Sequence, residues 1–350
     1  MSRWKYFLQR LVLSIPVLFL VMTLIFVIIR MGPLDPVASM LGPEASGAQA
    51  EAIREQLGLN DPLWQQYVDF MVGLITLDLG QSWVIHSGRS VNSLVAIYAP
   101  RTIWLGFWAV LLPLFIGIPL GFYAGLNQNS WADYIASFSG IVWLAMPNFW
   151  LAIMVLAILR RTDGGGFLGF DWYTFGPEVR SLIGTPPLDF IGVETMMPPS
   201  GFYFDPGTMA VAIKVILPAA IVLGSASMAT ELRIGRTAML ETINSNYVET
   251  ARAKGLSERV IIWKHVFRNA LIPLLPVITN EALLLLGGSV IVEVIFGING
   301  LGRLFFLAAY QGDLPLAGSL IFIFALITIS LNILQDFLYT VLDPRVGYET

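Results

Sequence analysis

The stretch YVETARAKGLSERVIIWKH, from Tyr247 to His265, decides how the rest of the chain is interpreted. It concentrates charge in a chain that is 56% hydrophobic and only 13% charged. Soluble globular domains average about 25% charged residues, so the composition is that of a membrane protein. A segment this charged lies outside the bilayer, and something must hold it there.

Composition also excludes several kinds of site. The chain has no cysteine and only two histidines, His86 and His265, which excludes disulfides, thiolate metal sites and cysteine nucleophiles. No glycine is followed by lysine, so the phosphate-binding sequence G-x-x-x-x-G-K-[ST] cannot occur. The net charge of −4 disfavours a nucleic-acid partner. We therefore expect a non-catalytic chain with no cofactor or metal of its own, and any nucleotide must be bound by another chain.

Six apolar stretches reach the roughly 20 residues that a helix needs to cross a bilayer. The first is longer than the core of a signal peptide and has no small-residue cleavage site after it, so we interpret it as a retained span. The sequence thus predicts an all-α membrane protein with a single transmembrane domain, 1–350. The predicted spans lie near 11–29, 103–126, 134–159, 209–229, 271–296 and 314–341.

Lysine and arginine mark the cytoplasmic side of a membrane protein. Two long loops, 30–102 and 160–208, hold more acidic residues than arginine and are predicted to face outward. The loop 231–270 and the N-terminal tail are basic, so both termini and this loop are predicted to be cytoplasmic. The basic residues concerned are Arg3, Lys5, Arg10, Arg233, Arg236, Arg252, Lys254, Arg259, Lys264 and Arg268.

The cytoplasmic loop itself is predicted to consist of short helices. Asn244–Asn246 should end the helix that leaves span four, because Asn and Ser favour caps and turns. Tyr247–Lys254 should form about two turns, ended by Gly255 in the left-handed conformation, and Ser257 can start the next helix. An isolated helix of two turns is unstable in water. From the residues alone, two alternatives stay open: a solvated loop that only sets topology, or a helix that docks on a soluble partner.

The first outer loop contains NDPLWQQYVDFMVGLI, which is typical of a helix start. Asn60 or Asp61 is expected as the N-cap, with Pro62 in the first turn. One apolar face is predicted from helical spacing, made of Leu63, Tyr67, Phe70, Met71 and Leu74.

The loop also carries a resemblance to a known family. YVETARAKGLSERVIIWKHVFRNALIPLL is similar to the E-A-A-x-x-x-G cytoplasmic loop of ABC-importer permeases, which reads here Glu249, Thr250 and Ala251, followed after three residues by Gly255. Nearly the whole chain resembles the B-type permease of dipeptide and oligopeptide importers. The other matching stretches are IIRMGPLDP, REQLGLNDPLWQQYVDF, LDLGQS, MPNFW, GGSVIVEVIFGINGLGR and LDPR. Thr250 departs from the family's second alanine, and GPLDP departs from its P-G-D-P.

This resemblance implies the type I ABC importer permease fold and a non-catalytic permease subunit in the prokaryotic plasma (inner) membrane. The expected substrates are di- and oligopeptides. The implied partners are a second homologous permease, two ATPase subunits (a homo- or heterodimer) that hold ATP and Mg, and an extracytoplasmic substrate-binding protein, with membrane lipid around the spans. The resemblance assigns ATPase coupling to the loop residues Tyr247, Glu249, Ala251, Lys254 and Gly255.

Ionisable residues inside predicted spans are functional candidates by default. Asn280, Glu281 and Glu293 are candidates either for the translocation pathway or for the interface with the second permease. We favour the interface, where an interhelical hydrogen bond would satisfy them.

Other functions remain as alternatives. Members of the same family import oligosaccharides, nickel or opines. An ion-coupled secondary transporter should show inverted repeats, and none is evident. An intramembrane enzyme would need an acid/base or metal constellation within the spans, and Glu281 has no obvious partner in the sequence.

The predicted topology can be tested with single cysteines, since the parent chain contains none. Cysteines introduced at Ser46 and Ser200 are expected to react with an impermeant maleimide added outside sealed cells. One introduced at Ser257 should react only after the cells are opened. Labelling of the Ser257 variant in sealed cells would contradict a cytoplasmic loop.

Overall fold

A computed structural model of the chain describes residues 3–31, 47–56, 58–160, 184–193, 202–274 and 290–342, with positions 37, 41, 277, 278 and 281. These residues are helical apart from turns, short connections and one antiparallel two-stranded hairpin, which confirms the all-α prediction. The elements are α1 (Arg3–Met31), α2 (Gly47–Gln56), α3 (Leu63–Ile75), α4 (Val91–Leu112), α5 (Ile118–Leu126), α6 (Trp131–Ala145), α7 (Asn148–Arg160), β1 (Ile191–Val193), β2 (Phe202–Phe204), α8 (Pro206–Ile243), α9 (Asn246–Ala253), α10 (Glu258–Val260), α11 (Phe267–Ala270), α12 (Val290–Phe296), α13 (Leu301–Gln311) and α14 (Leu314–Leu342).

Three short irregular helical segments complete this description. A π-helical turn, Pro113–Gly117, joins α4 to α5, and a second one, Ile261–Val266, joins α10 to α11. A 3₁₀ turn, Ile272–Leu274, follows α11. Pro113 and Pro273 lie in the first π turn and the 3₁₀ turn, where a proline favours irregularity because it lacks an N–H and cannot complete the helical ladder.

Four of the described helices are long and apolar enough to cross a membrane, and the number rises to six if each of two pairs of shorter helices is one span. The four are Phe7–Met31, Val91–Leu126, Pro206–Ile243 and Leu314–Phe337. They coincide with the first, second, fourth and sixth predicted spans. The middle of the predicted span 271–296, including 282–289, lies outside the described residues. Helix α13 was not predicted from the sequence.

The predicted span 134–159 is broken in the structure. Helices α6 and α7 meet at 97°. The break falls at Met146, whose backbone is extended with ψ 117°, immediately before Pro147. A residue that precedes proline is driven out of the helical region by a clash with the proline ring. Hydropathy predicts how long this apolar segment is, but it does not predict that the segment bends in the middle.

The chain divides into two compact units, of which unit 1 comprises Met1–Pro100 and Gly300–Thr350. Helix α1 packs along α14 there, with α3, the first part of α4 and α13 around them. Near one end of this pair, Arg10 Nε lies 3.6 Å from Asp336 Oδ2. The buried core consists of Met22, Ile25, Ile29, Met71, Leu74, Leu79, Val91, Leu94, Leu301, Leu304, Ala308, Leu316, Ala317, Leu320 and Phe322.

Helix α3 buries most of the predicted face, since Met71 and Leu74 are buried and Tyr67 and Phe70 pack against the core, and it departs from the prediction at its first turn. Leu63 is 56% exposed, whereas Gln66 is buried. The Gln66 side-chain amide donates to Leu59 O at 3.1 Å and to Asp61 O at 2.7 Å, which explains why a polar residue lies inside. Pro62 itself occupies the N-cap position, so the helix begins at Leu63, later than expected, and no side chain caps it.

A buried carboxylate fixes the loop after α3 to the start of α14 within unit 1. Asp313 is fully buried. It accepts hydrogen bonds from Ser82 Oγ at 2.6 Å and from the backbone N–H groups of Trp83, Val84 and Ile85 at 3.0, 3.0 and 3.1 Å. Charge-assisted bonds of this kind stabilise a buried carboxylate that would otherwise be strongly unfavourable.

Unit 2 comprises Arg101–Asn299 and is built around the long helix α8. Asp205 caps its N-terminus by accepting from Gly207 N at 2.9 Å, and the Thr208 hydroxyl together with this amide lowers the pKa of the Asp205 carboxyl. Helices α5, α6, α7 and α12 pack against α8. Its surroundings are therefore almost entirely helical.

Three glycines on one side of the π turn and α5 bring that segment against the backbone of α8. A Cβ added at Gly117 would lie 2.8 Å from the Met228 carbonyl oxygen, and one at Gly125 would lie 2.9 Å from that of Arg236. Gly121, between them, faces the backbone of Leu232 even more closely. Glycines at four-residue spacing allow helices to approach in this way in membranes.

The same contact continues one turn earlier on α8. Gly224 lies against the carbonyl oxygen of Ala109 in α4, where a Cβ could not fit. We call this line of backbone contact, Gly117, Gly121, Gly125 and Gly224, the glycine seam. It fixes both the distance and the register between α8 and the α4–α5 span.

A bidentate ion pair joins α6 to α8 in unit 2. Arg236 Nη2 donates to Asp133 Oδ2 at 2.9 Å, and its Nε donates to Oδ1. Asp133 is 2% exposed and also accepts from the Asn129 N–H at 3.0 Å. A fork-to-fork geometry of this kind is stronger and more directional than a single contact.

The glycine seam predicts different effects for two identical substitutions. Gly121→Ala places a methyl group against the Leu232 backbone, and overpacking of this kind typically costs about 1–3 kcal/mol of unfolding free energy. Gly140→Ala is the matched control, because its Cβ would lie 3.7 Å from the nearest atom, Leu232 Cδ2. Thermal unfolding of the two purified variants should show a lowered midpoint for Gly121→Ala alone. Equal unfolding midpoints for the two variants would mean that the glycine seam has room for an added methyl group.

Candidate functional site

The loop that follows α8 folds as the sequence predicts. Helix α8 ends at Ile243, and α9 begins at Asn246. Ser245 between them is extended, and its hydroxyl donates to Thr242 O at 2.6 Å. This side-chain bond satisfies a carbonyl that the ended helix leaves free, so the break between the two helices is stabilised locally.

Helix α9 ends in a Schellman motif centred on Gly255. Gly255 has φ +74°, in the left-handed region that favours glycine. Its N–H donates to Arg252 O at 2.9 Å, and the Leu256 N–H donates to Ala251 O at 3.3 Å. These two bonds satisfy the terminal carbonyls of α9 and set the direction in which the chain leaves it.

Side chains connect α9 to the helix that follows Gly255. Arg252 Nε donates to Glu258 Oε1 at 2.9 Å, across the turn. The Tyr247 hydroxyl accepts from Asn269 Nδ2 at 3.2 Å, further along the second helix. Both pairs are exposed, so each contributes little alone, but together they hold the two helices in one arrangement.

The apolar face of α9 is buried inside unit 2. Val248 is 0% and Ala251 6% exposed. They belong to a core cluster with Met239 of α8 and with Ile261 and Val266 of the second π turn. A two-turn helix is therefore stabilised here by the chain's own core, and α9 is a folded projection rather than a solvated connector.

This packing changes what Ala251 can do. The sequence analysis placed Ala251 on the surface that docks on a partner, whereas the structure buries it against the chain's own helices. The exposed residues of this segment are instead Tyr247, Glu249, Thr250, Arg252, Ala253 and Lys254. A partner would meet these side chains, and Ala251 would act by holding α9 in place.

The two polar candidates of the fifth predicted span that the structure describes, Glu281 and Glu293, have different partners. Glu293 is fully buried and accepts from Thr102 Oγ1 at 2.9 Å, within unit 2. Glu281 is 5% exposed and lies within hydrogen-bonding reach of Ser227. Asn280 lies outside the described residues. The assignment of these residues to a pathway or permease interface stays a prediction.

The sequence analysis missed Glu231. It treated this residue as part of the charged helix leaving span four, yet Glu231 is 0% exposed. Neither of its carboxylate oxygens has a hydrogen-bond partner, and the carboxyl group is close enough to that of Glu281 for the two to repel as anions. The sequence did contain a signal for this burial, because Glu231 has apolar neighbours on both sides in SMATELRIG.

Comparison with known proteins agrees with this arrangement. Residues 117–348 match the binding-protein-dependent transport system inner membrane component family, and residues 3–85 match the corresponding N-terminal family. The chain belongs to this family of inner-membrane transport components. The match covers α9, the glycine seam and both members of the Asp133–Arg236 pair.

Individual relatives match over nearly the full length. The chain is 34% identical to the oligopeptide transport system permease protein AppB of Bacillus subtilis, with 98% of this chain and 99% of the relative covered. It is 36% identical to the dipeptide transport system permease protein DppB of Alkalihalophilus pseudofirmus, with the same coverage. It is also 30% identical to the glutathione transport system permease protein GsiC of Pectobacterium atrosepticum, with 99% of each chain covered.

Two neighbouring substitutions in α9 should separate packing from surface charge. Ala251→Glu places a carboxylate in the core cluster, where an unpaired charge is strongly unfavourable, so α9 should detach. Thr250→Glu adds the same charge on the exposed side one residue away and should leave α9 in place. Limited proteolysis of the purified protein should cut the loop 244–256 much faster in Ala251→Glu only. Equal protection in both variants would mean that the observed burial does not hold α9.

Proposed function

We propose that this chain is the permease subunit of an ATP-driven, binding-protein-dependent importer whose substrates are di- and oligopeptides. The observation that carries the proposal is the folded projection α9, held by the chain's own core with a polar surface left outward, in a chain of this family. The relatives named for oligopeptides, dipeptides and glutathione support a peptide substrate over oligosaccharides, nickel or opines.

The proposed partner of α9 is an ATPase subunit, on which ATP and Mg would be bound. A short helix that is fixed at both ends can transmit force as a rigid body. Its first end is the break at Asn244–Ser245, its second end is the Schellman motif, and the Arg252–Glu258 and Tyr247–Asn269 contacts connect it to the next helix. Movement of a docked ATPase would therefore reach α8 through the core contacts of Val248 and Ala251.

The remaining partners follow from the same proposal. A second homologous permease would complete the translocation pathway, and a binding protein would deliver the peptide from the opposite side of the membrane. The chain would itself catalyse no reaction and hold no cofactor. Movement of peptide would result from alternation between two arrangements of the spans, driven by the partner ATPases.

Gly255 offers the sharpest test of coupling. No heavy atom lies within 4 Å of a Cβ added at Gly255, so substitution there changes backbone conformation without a clash. A β-branched residue in the left-handed region is unfavourable by roughly 1–2 kcal/mol, whereas Asn tolerates it. Gly255→Val should therefore redirect the end of α9, and Gly255→Asn should preserve it.

The readouts are peptide uptake, ATPase rate and co-purification of the ATPase, measured together in the assembled transporter. Gly255→Val is expected to lose uptake, with either a release of the ATPase or hydrolysis that no longer depends on the binding protein. Gly255→Asn should retain most of the uptake and normal co-purification. Full uptake by Gly255→Val would contradict the assignment of α9 as the coupling element.

A further inference from the structure

Two buried carboxyl groups in unit 2 lie near enough for the charge of one to act on the other, and no counterion for either is found among the described residues. Glu231 lies on α8 and is fully buried, with both carboxylate oxygens unpartnered. Glu281 is 5% exposed, and its Oε2 is likewise unpartnered. Ser227, one helical turn before Glu231 on α8, is within hydrogen-bonding reach of Glu281. The two carboxyl groups and this hydroxyl therefore form one polar cluster.

The neighbouring charges within the described residues are engaged elsewhere or exposed. Asp133 of α6 is paired with Arg236, and Glu293 of α12 accepts from Thr102. The charged group that acts on Glu231 is the like-charged Glu281. The other titratable groups on α8 and on the elements packed against it are exposed or half-buried, namely Lys214, Arg233 and Glu241 of α8, Tyr123, Tyr134, Lys264, His265 and Arg268.

Two adjacent carboxylates cannot both stay ionised in such surroundings. An isolated buried charge is strongly unfavourable, and a second like charge beside it adds repulsion. The described residues contain no group of three or more acidic or histidine side chains placed to hold a metal ion. A proton needs a single carboxyl oxygen, because its attachment there converts the carboxylate to a neutral acid.

We propose that Glu231 and Glu281 form a proton-binding site inside unit 2, in which at least one of the two carboxyl groups is held as the neutral acid. The bound proton is covalently attached to one carboxyl oxygen, which removes the charge of that group. The site belongs to the arrangement of helices in which both residues are buried. Any arrangement that admits water to α8 at Glu231 would release the proton, so the occupancy of the site reports the conformation of the spans.

An amide has the shape of a protonated carboxyl group, which gives the first test. Glu231→Gln and Glu281→Gln should insert, assemble and unfold at or above the wild-type temperature, because each keeps the neutral state. Asp133→Asn is the matched control, because Asp133 is an ionised partner of Arg236 and its loss leaves the guanidinium unpaired. This control should lower the unfolding midpoint. A loss of stability or of folding in the Gln variants equal to that of Asp133→Asn would overturn the proposal.

Infrared spectroscopy of the full chain, purified with its co-expressed transporter subunits, gives the second test. A protonated carboxyl group has a C=O stretch distinct from that of a carboxylate and shifted in heavy water. At neutral pH the wild type should show this band, and the double variant Glu231→Gln/Glu281→Gln should lose it. Its absence from the wild type, as with a counterion from another subunit, would overturn the proposal, and so would a band that persists unchanged in the double variant.

Discussion

The close contact between the backbones of α8 and the α4–α5 span is the constraint on which unit 2 depends. Glycines at four positions remove the side chains that would separate the two helices, so dispersion contacts along the seam replace the hydrophobic driving force that a bilayer does not supply. With 38 residues, α8 is about 57 Å long, well beyond the roughly 30 Å of a hydrocarbon core. The glycine seam and the Asp133–Arg236 pair thus fix the position of this long helix, and α9 follows directly after its C-terminal end.

Unit 2 contains three different solutions to the presence of acidic side chains among apolar helices. Asp133 stays ionised beside a bidentate arginine, and Glu293 is satisfied by the hydroxyl of Thr102. Glu231 and Glu281 have no cationic partner among the described residues, and Glu281 lies near the hydroxyl of Ser227. These environments predict different responses to the same substitution of acid by amide, which is why one member of the set can serve as the control for another.

Patterns along the chain predicted those features that depend on local sequence. Four spans, the break at Asn244–Asn246 and the left-handed Gly255 follow from hydropathy, capping preferences and the conformational freedom of glycine. Features that depend on distant neighbours were missed. Gln66 can be buried because two backbone carbonyls accept hydrogen bonds from its amide. Glu231 is buried because other helices pack around α8. Ala251 faces inward because it packs against Ile261 and Val266 of the second π turn. The bend at Met146 was missed for another reason: hydropathy averages apolar character along a segment and carries no information on backbone dihedral angles.

The hydrogen bonds of Asp313 have a consequence for synthesis of the protein. Ser82 and Asp313 are separated by 231 residues, and at about 5–20 residues per second the ribosome needs on the order of ten to fifty seconds to cover that distance. During this interval the N–H groups of residues 83–85 lack their acceptor, while all of 101–299 emerges as one continuous segment. Unit 2 can therefore fold during translation. The first hundred residues, in contrast, can complete their core only after α13 and α14 have been synthesised.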